Sequence, residues 1–230
     1  MSFLSKIIEY AALEQLQLHL SRFDCLPKFQ SAYREFHSVE TAICRVYKDL
    51  LINKSKNSCS LILLLDLSAA FDTVDHHLLL SDLEHLGICG SVLKWFESYL
   101  TGRHFRVIID DIETELGKVN SSVPQGSILG PYLFLIYTME LSYILEDFKV
   151  KYHLYADDTQ IYITVTDIEE TKVMLDNIIV RIETWMKTRK LKLNIEKTEC
   201  MFVGSIGNLK NFQALNSFKI GEFEVQVIKL

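Results

Sequence analysis

Asp66 closes an unbroken apolar run, Leu61-Ile62-Leu63-Leu64-Leu65, and Asp157-Asp158 stands between two strand-like stretches, Val150 to Ala156 and Thr159 to Val165. Aspartates at strand ends and hairpin tips are held by rigid sheet while their oxygens reach solvent. Three such carboxylates converging at one point would bind hard divalent cations, Mg²⁺ above all, which takes carboxylate oxygens together with substrate phosphates. Two such cations about 3.5–4 Å apart stabilise the attacking and leaving oxygens of an in-line phosphoryl displacement. The residue types do not require this chemistry. An Asp-Asp pair between strands is usually an ordinary turn, and Asp110-Asp111, between Arg106-Val107-Ile108-Ile109 and Ile112, reads as a plain solvated one. A strand-end acid such as Asp66 often caps the next helix. Spacing along the chain does not show that the three acids meet.

The elements that must position them follow from periodicity. From Phe3 to about Leu20, Leu4, Ile7, Ile8, Ala11, Ala12, Leu16 and Leu20 recur at helical spacing and predict an amphipathic helix. Pro27 closes the next loop, and Ser38 is placed to cap a second helix reaching about Ile52. The run Ser60 to Leu65 predicts a strand buried on both faces. Two helices follow, His76 to Leu86 with Gly87 at its stop and Val92 to Leu100 with Gly102 at its stop. A hairpin is expected next, Phe105 to Ile109 against about Lys118 to Val123. Pro124-Gln125-Gly126-Ser127 then opens a long helix to around Leu145. After the Asp157-Asp158 hairpin comes an amphipathic helix from about Glu169 to Lys187, and short strands finish the chain. This order predicts an α+β fold with a mainly antiparallel sheet and helices packed on one side.

The chain has 230 residues, 49% of them hydrophobic, enough to bury a sizeable core and inconsistent with a disordered tail. No apolar run approaches the roughly 20 residues needed to cross a bilayer. Glu9 and Glu14 interrupt any secretory leader, so an intracellular protein is expected. Cys25, Cys44, Cys59, Cys89 and Cys200 form no C-x-x-C pair, which supports neither a zinc knuckle nor a disulfide framework and predicts reduced, mostly buried thiols. His76 and His77, adjacent on a helix, point about 100° apart and cannot easily chelate one ion. The net charge of −6 argues against a surface that tracks phosphates.

Four blocks in order carry a resemblance. Leu65-Asp66-Leu67-Ser68-Ala69-Ala70-Phe71-Asp72-Thr73-Val74-Asp75-His76 looks like motif A of the reverse transcriptases of non-LTR retrotransposons, the LINE-type, jockey-like group. Val123-Pro124-Gln125-Gly126-Ser127-Ile128-Leu129-Gly130-Pro131 resembles motif B, and Tyr155-Ala156-Asp157-Asp158-Thr159 resembles motif C. Trp185-Met186 and Leu191 through Thr198 resemble motif D, while Phe29 to Arg34 and Ser38 to Ala42 are similar to the fingers motif. The likeness covers about Leu4 to Leu230. It implies a polymerase palm (residues 59–230, with inserted fingers elements) and a mainly helical, partial fingers region (residues 1–58).

By that resemblance the function is RNA-directed DNA polymerisation, nucleotidyl transfer to a primer 3′-hydroxyl with two Mg²⁺ or Mn²⁺ ions. Asp66, Asp157 and Asp158 would be the catalytic and metal-holding acids, with the Leu67 carbonyl an added ligand. Phe71 would be the steric gate against a 2′-hydroxyl, a discrimination by exclusion, although a core aromatic is the ordinary reading. Gln125, Gly126 and Ser127 would meet nucleotide or template; a Pro-x-Gly turn before a helix is the plain alternative. Lys197 matches the lysine that protonates departing pyrophosphate, against a solvated surface lysine. Arg34 would reach the incoming triphosphate. The implied partners are RNA template, DNA primer and deoxynucleoside triphosphates, with no membrane. The implied setting is a larger polyprotein with thumb and endonuclease regions, in a ribonucleoprotein of cytoplasm and nucleus. Ile220 to Leu230 resembles the strand before the primer grip, and much duplex-holding basic surface would lie outside this chain. The sequence departs from the family at Ala32 and Glu35, where a glycine and a basic residue are usual. Two rival readings remain: an inactive retroelement remnant that at most binds nucleic acid or protein, and a metal-dependent nuclease, for which motif B and the Phe71 gate have no purpose.

Overall fold

The apolar run that ends at Asp66 becomes the inner strand of a six-stranded sheet. The computed structural model describes residues 3–110, 112–124, 126–204, 217–220 and 223–229. In chain order the elements are α1 (Phe3–Arg22), α2 (Val39–Ser55), β1 (Cys59–Leu65), β2 (Leu67–Ser68), α3 (His76–His85) and α4 (Gly90–Leu100). Four two-residue strands follow, β3 (His104–Phe105), β4 (Ile108–Ile109), β5 (Ile112–Glu113) and β6 (Gly117–Lys118), and then α5 (Gly130–Thr138) and α6 (Glu140–Asp147). The chain continues with β7 (Lys151–Tyr155), β8 (Asp158–Val165), α7 (Ile168–Thr188), β9 (Lys192–Leu193), β10 (Glu199–Val203), β11 (Ser217–Ile220) and β12 (Phe223–Lys229).

Two compact units interleave along the sequence: Met1–Leu26 with Ala69–Thr138, and Pro27–Ser68 with Met139–Leu230. Residue 58 therefore falls inside the second unit, because α2 packs against β1 and β7.

The second unit holds the sheet, in the order β11-β12-β10-β1-β8-β7. β1 pairs antiparallel with β8 on one side and β10 on the other, and six of its seven residues are buried, as the continuous apolar run requires. Among the described strands of this sheet, only the β10–β12 pair is parallel. The fold is thus α+β on a mainly antiparallel sheet. α2 starts where Ser38 predicts: Ser38 Oγ accepts from Thr41 N at 3.2 Å and Thr41 Oγ1 accepts from Ser38 N at 2.9 Å, a reciprocal cap. α7 begins at Asp167, whose carboxylate accepts from Glu170 N, and it buries Leu175, Ile178, Ile179, Ile182, Trp185 and Met186 along one face.

The first unit is helical. α3 packs against α4 and α5, and Leu79, Leu83, Phe96, Leu100, Leu133 and Phe134 are fully buried or nearly so. Gly87 and Gly102, at φ 83° and 69°, end α3 and α4 in the left-handed region as expected.

Four expectations are corrected. The buried stripe of α1 is Glu9, Leu13, Leu16 and Leu20, while Leu4, Ile7 and Ile8 are exposed. The apolar residues of α1 surround the axis, so periodicity alone could not choose a face. The hairpin after α4 is shorter than predicted: β3 pairs with β6 and β4 with β5, the chain turning at Asp110, φ 47°. Gly117 leaves room for the exposed Phe105 ring opposite it; a Cβ there would lie 2.5 Å from that ring, which would have to turn aside. Val119 to Val123 leave the hairpin; Ser122 N donates to Val74 O at 2.9 Å and Val123 N to Phe71 O at 3.1 Å. Asp111 lies outside the described residues. The long helix begins at Gly130 and is interrupted at Met139, where the Thr138 and Ser142 hydroxyls bond back to the carbonyls of Phe134 and Met139. Of the cysteines, only Cys59 and Cys200 are buried; Cys44 and Cys89 are exposed, and all five are free.

Candidate active site

Register brings the acids of the second unit to one end of the sheet. Leu65, the last residue of β1, lies opposite Thr159 of β8. Tyr155 pairs with Asp158 to close the β7–β8 hairpin, so the turn residues are Ala156 and Asp157, and Asp158 is the first residue of β8. Asp66, one residue past Leu65, thus leaves the sheet beside Asp158.

Their charges meet. Loss of hydration and then the carboxylates of Asp157 and Asp66 push the Asp158 carboxyl above its ordinary value, and Lys197 acts against them. Asp158 keeps an exposed surface overall, so its local packing rather than depth in the core removes the hydration. Asp66 is held from the β9 side. Asn194 N donates to the Asp66 carbonyl at 2.8 Å, Asn194 Nδ2 to Asp66 Oδ2 at 3.0 Å, and Lys197 Nζ stands 3.5 Å from the same oxygen. β2 pairs with β9 through Leu67 and Leu193, which carries the motif D residues to the motif A acid. Lys197 is therefore next to the acid cluster, with its side chain largely in water.

The hairpin tip is held from the other side by the loop after Pro27. Gln30 Oε1 accepts from Ala156 N at 3.2 Å and from Ala32 N at 2.9 Å. Burial first, then Asp157 and Tyr155, push the Tyr33 phenol up. Arg34 turns into its own loop, Nη1 donating to Pro27 O at 2.8 Å and Gln30 O at 3.3 Å.

The donor set fits hard divalent cations: three carboxylates within one another's field, at a strand end and a hairpin tip. Among the described residues no three His, Cys, Asp or Glu side chains already converge as a metal-holding group. The Asp66 carboxylate is instead aimed at Asn194 and Lys197. The acids share a field without sharing a coordination sphere.

The remaining predicted residues belong to the first unit. The half-buried Phe71 ring stacks on Phe134 with centroids 4.6 Å apart. Gly126 has φ 73°, a conformation suited to glycine. Ser127 Oγ accepts from Gly130 N at 2.8 Å and so caps the start of α5, three residues after the predicted start. Gln125 lies outside the described residues. Buried Glu9 of α1 accepts from Ile128 N at 2.6 Å and Leu129 N at 3.4 Å, a support for the motif B turn that no sequence pattern announced. Asn194 and Gln30 were also missed as supports. Both lie inside recognised blocks, but their partners are more than a hundred residues away.

A sheet of this topology with paired acids on its central strand and adjoining hairpin defines a polymerase palm. The chain belongs to the reverse transcriptase (RNA-dependent DNA polymerase) family, whose model matches residues 1–220. It is 29% identical over 206 residues to a probable RNA-directed DNA polymerase from transposon BS of Drosophila melanogaster, covering 86% of this chain and 22% of the relative. It is 27% identical over 199 residues to the RNA-directed DNA polymerase from mobile element jockey of Drosophila funebris, covering 84% and 22%. The chain thus spans about a fifth of the length of these curated relatives. In fold it is similar to telomerase of Candida albicans, solved with a fragment of telomeric RNA, with a TM-score of 0.67 and 14% identity, covering 94% of this chain and 36% of that one. Telomerase of Candida tropicalis truncated from its C-terminal domain matches with a TM-score of 0.65 and 14% identity, covering 94% and 43%.

Proposed function

We propose that the chain carries the nucleotidyl-transfer centre of a retrotransposon reverse transcriptase, extending a primer 3′-hydroxyl with deoxynucleoside triphosphates on an RNA template. The observation that supports this most is the register that sets Asp66 beside Asp158 at the tip of the β7–β8 hairpin. Asp66, Asp157, Asp158 and the Leu67 carbonyl would hold two Mg²⁺ or Mn²⁺ ions. Cations held by these residues would supply charge stabilisation to the attacking and leaving oxygens of an in-line displacement. Asn194 holds the Asp66 carboxylate, and Lys197, whose ammonium stands 3.5 Å from Asp66 Oδ2, would neutralise or protonate a departing phosphate. Phe71 excludes a 2′-hydroxyl by bulk. Gln125, Gly126 and Ser127 would meet nucleotide or template, and Arg34 would have to leave its loop carbonyls to meet a triphosphate. The partners are RNA template and DNA primer, within a larger polyprotein that adds thumb and endonuclease regions. Such a ribonucleoprotein works in cytoplasm and nucleus.

Extension of a labelled primer on an RNA template with Mg²⁺, comparing the chain with its Asp157→Ala variant, tests the reading. Extension that the substitution abolishes is expected. Shortening of the primer that the substitution abolishes would mark a nuclease. Identical, null behaviour of both proteins would mark a remnant without turnover.

A further inference from the structure

We infer that Gln30 is a positioning residue for the motif C turn, setting the direction of Asp157 through the Ala156 amide; this rests on the reading of Asp157 as a metal-holding acid. β7 is an edge of the sheet. The segment around Gln30 lies along that edge as a short parallel partner: Leu154 N donates to Phe29 O at 2.9 Å, and Ser31 N to Leu154 O at 3.0 Å. That pairing stops one step before the turn, and the Gln30 side chain continues it. Gln30 is 3% exposed, and its Oε1 accepts from Ala156 N at 3.2 Å while Ala32 N holds the same oxygen at 2.9 Å.

Ala156 needs such a hold. It sits at φ 56°, left-handed backbone that an alanine adopts only where its surroundings over-determine it. As the first of the two turn residues, Ala156 directs its N–H away from the β7–β8 ladder. The Gln30 oxygen takes it. The next residue is Asp157, so rotation about the Ala156 backbone would swing that carboxylate away from Asp158 and Asp66. A loop outside the hairpin thereby decides where one of the acids points.

The test uses the chain without nucleic acid. Gln30→Met keeps the side-chain volume and removes the acceptor, whereas Gln30→Glu keeps an acceptor oxygen in either protonation state. Hydrogen exchange at the Ala156 amide reads the contact, and a Mn²⁺ titration followed by electron paramagnetic resonance reads the site. In Gln30→Met, Ala156 exchange is expected to quicken and Mn²⁺ affinity to weaken, each about tenfold, the worth of one net hydrogen bond. Gln30→Glu is expected to keep Ala156 exchange slow. Should Gln30→Met fail to fold, Gln30→Asn, one methylene too short to reach Ala156, is read in the same way. Wild-type exchange in the variant, or faster exchange with unchanged Mn²⁺ affinity, would overturn the inference alone. Mn²⁺ binding indifferent to Asp157→Ala would overturn the metal-site reading and this inference with it.

Discussion

Replacing Glu9 by methionine removes a buried acceptor while keeping the side-chain length, and the loss can be estimated from its contacts. Glu9 is 1% exposed and takes the Ile128 amide at 2.6 Å and the Leu129 amide at 3.4 Å. A buried donor left without a partner costs about 1–3 kcal/mol. The Ile128 bond is short and charge-assisted, so it stands near the upper part of that range; the Leu129 bond is long and adds at most about 1 kcal/mol. Against this, methionine relieves the burial of a carboxylate whose second oxygen has no hydrogen-bond partner, which returns about 1 kcal/mol. The net expectation is a loss of about 2–3 kcal/mol. Glu9→Gln keeps one acceptor oxygen and gains an amide that can face the buried Tyr99 hydroxyl beside it. It should therefore stay within about 1 kcal/mol of the parent. That hydroxyl lies close enough to Glu9 for burial first, and the Glu9 charge after it, to push the phenol up to about 12, although contact with Ser127 acts the other way. Urea unfolding by circular dichroism gives both differences from the shift in midpoint at constant slope. A Met variant as stable as the Gln variant would refute the reasoning, because it would mean that the motif B amides find other acceptors.

Two further outcomes follow from buried groups. His153 is 1% exposed with neither ring nitrogen hydrogen-bonded, and burial, then Arg45 and His37, hold its pKa below the usual value near 6.5. The unfolded chain therefore binds a proton that the fold refuses. Stability is full above pH 6.5 and falls as the pH drops below it toward the lower folded value, and a His153→Phe variant should show a flatter urea midpoint between pH 7 and 5. Burial also pushes the Cys200 thiol up to about 12, and Cys59 is raised as well. Iodoacetamide at neutral pH should label Cys44 and Cys89 first, mass mapping finding Cys59 and Cys200 modified only in denaturant; early labelling of Cys200 would contradict its place in β10.

The strand carrying Asp66 was legible because a continuous apolar run with polar residues before it and an acid at its end has few other solutions. The caps at Ser38 and the stops at Gly87 and Gly102 were legible for a similar reason, since each is a local device read over three or four residues. α1 was legible as a helix but not in its facing, because apolar side chains surround it and a glutamate, Glu9, turns inward beside Leu13, Leu16 and Leu20. The hairpin after α4 was mis-registered because Val119 to Val123 look like strand, yet tertiary bonds to Val74 and Phe71 claim them. At the site, motif blocks named the acids, whereas their supports could not be read. Gln30 meets Ala156 and Asn194 meets Asp66 across 126 and 128 positions, and a side-chain amide carries no periodic signal.

β1 is locked twice, with β8 along one edge and β10 along the other. Side chains in a strand alternate between faces, so inserting or deleting a single residue between Cys59 and Asp66 would shift the acid by one position and invert the face on which it emerges. Its neighbours cannot both slide to compensate, since one leads to the hairpin tip and the other follows the Asn194 turn. The segment therefore behaves as a ruler. Related chains should tolerate many exchanges among aliphatic residues there, and no change in their number.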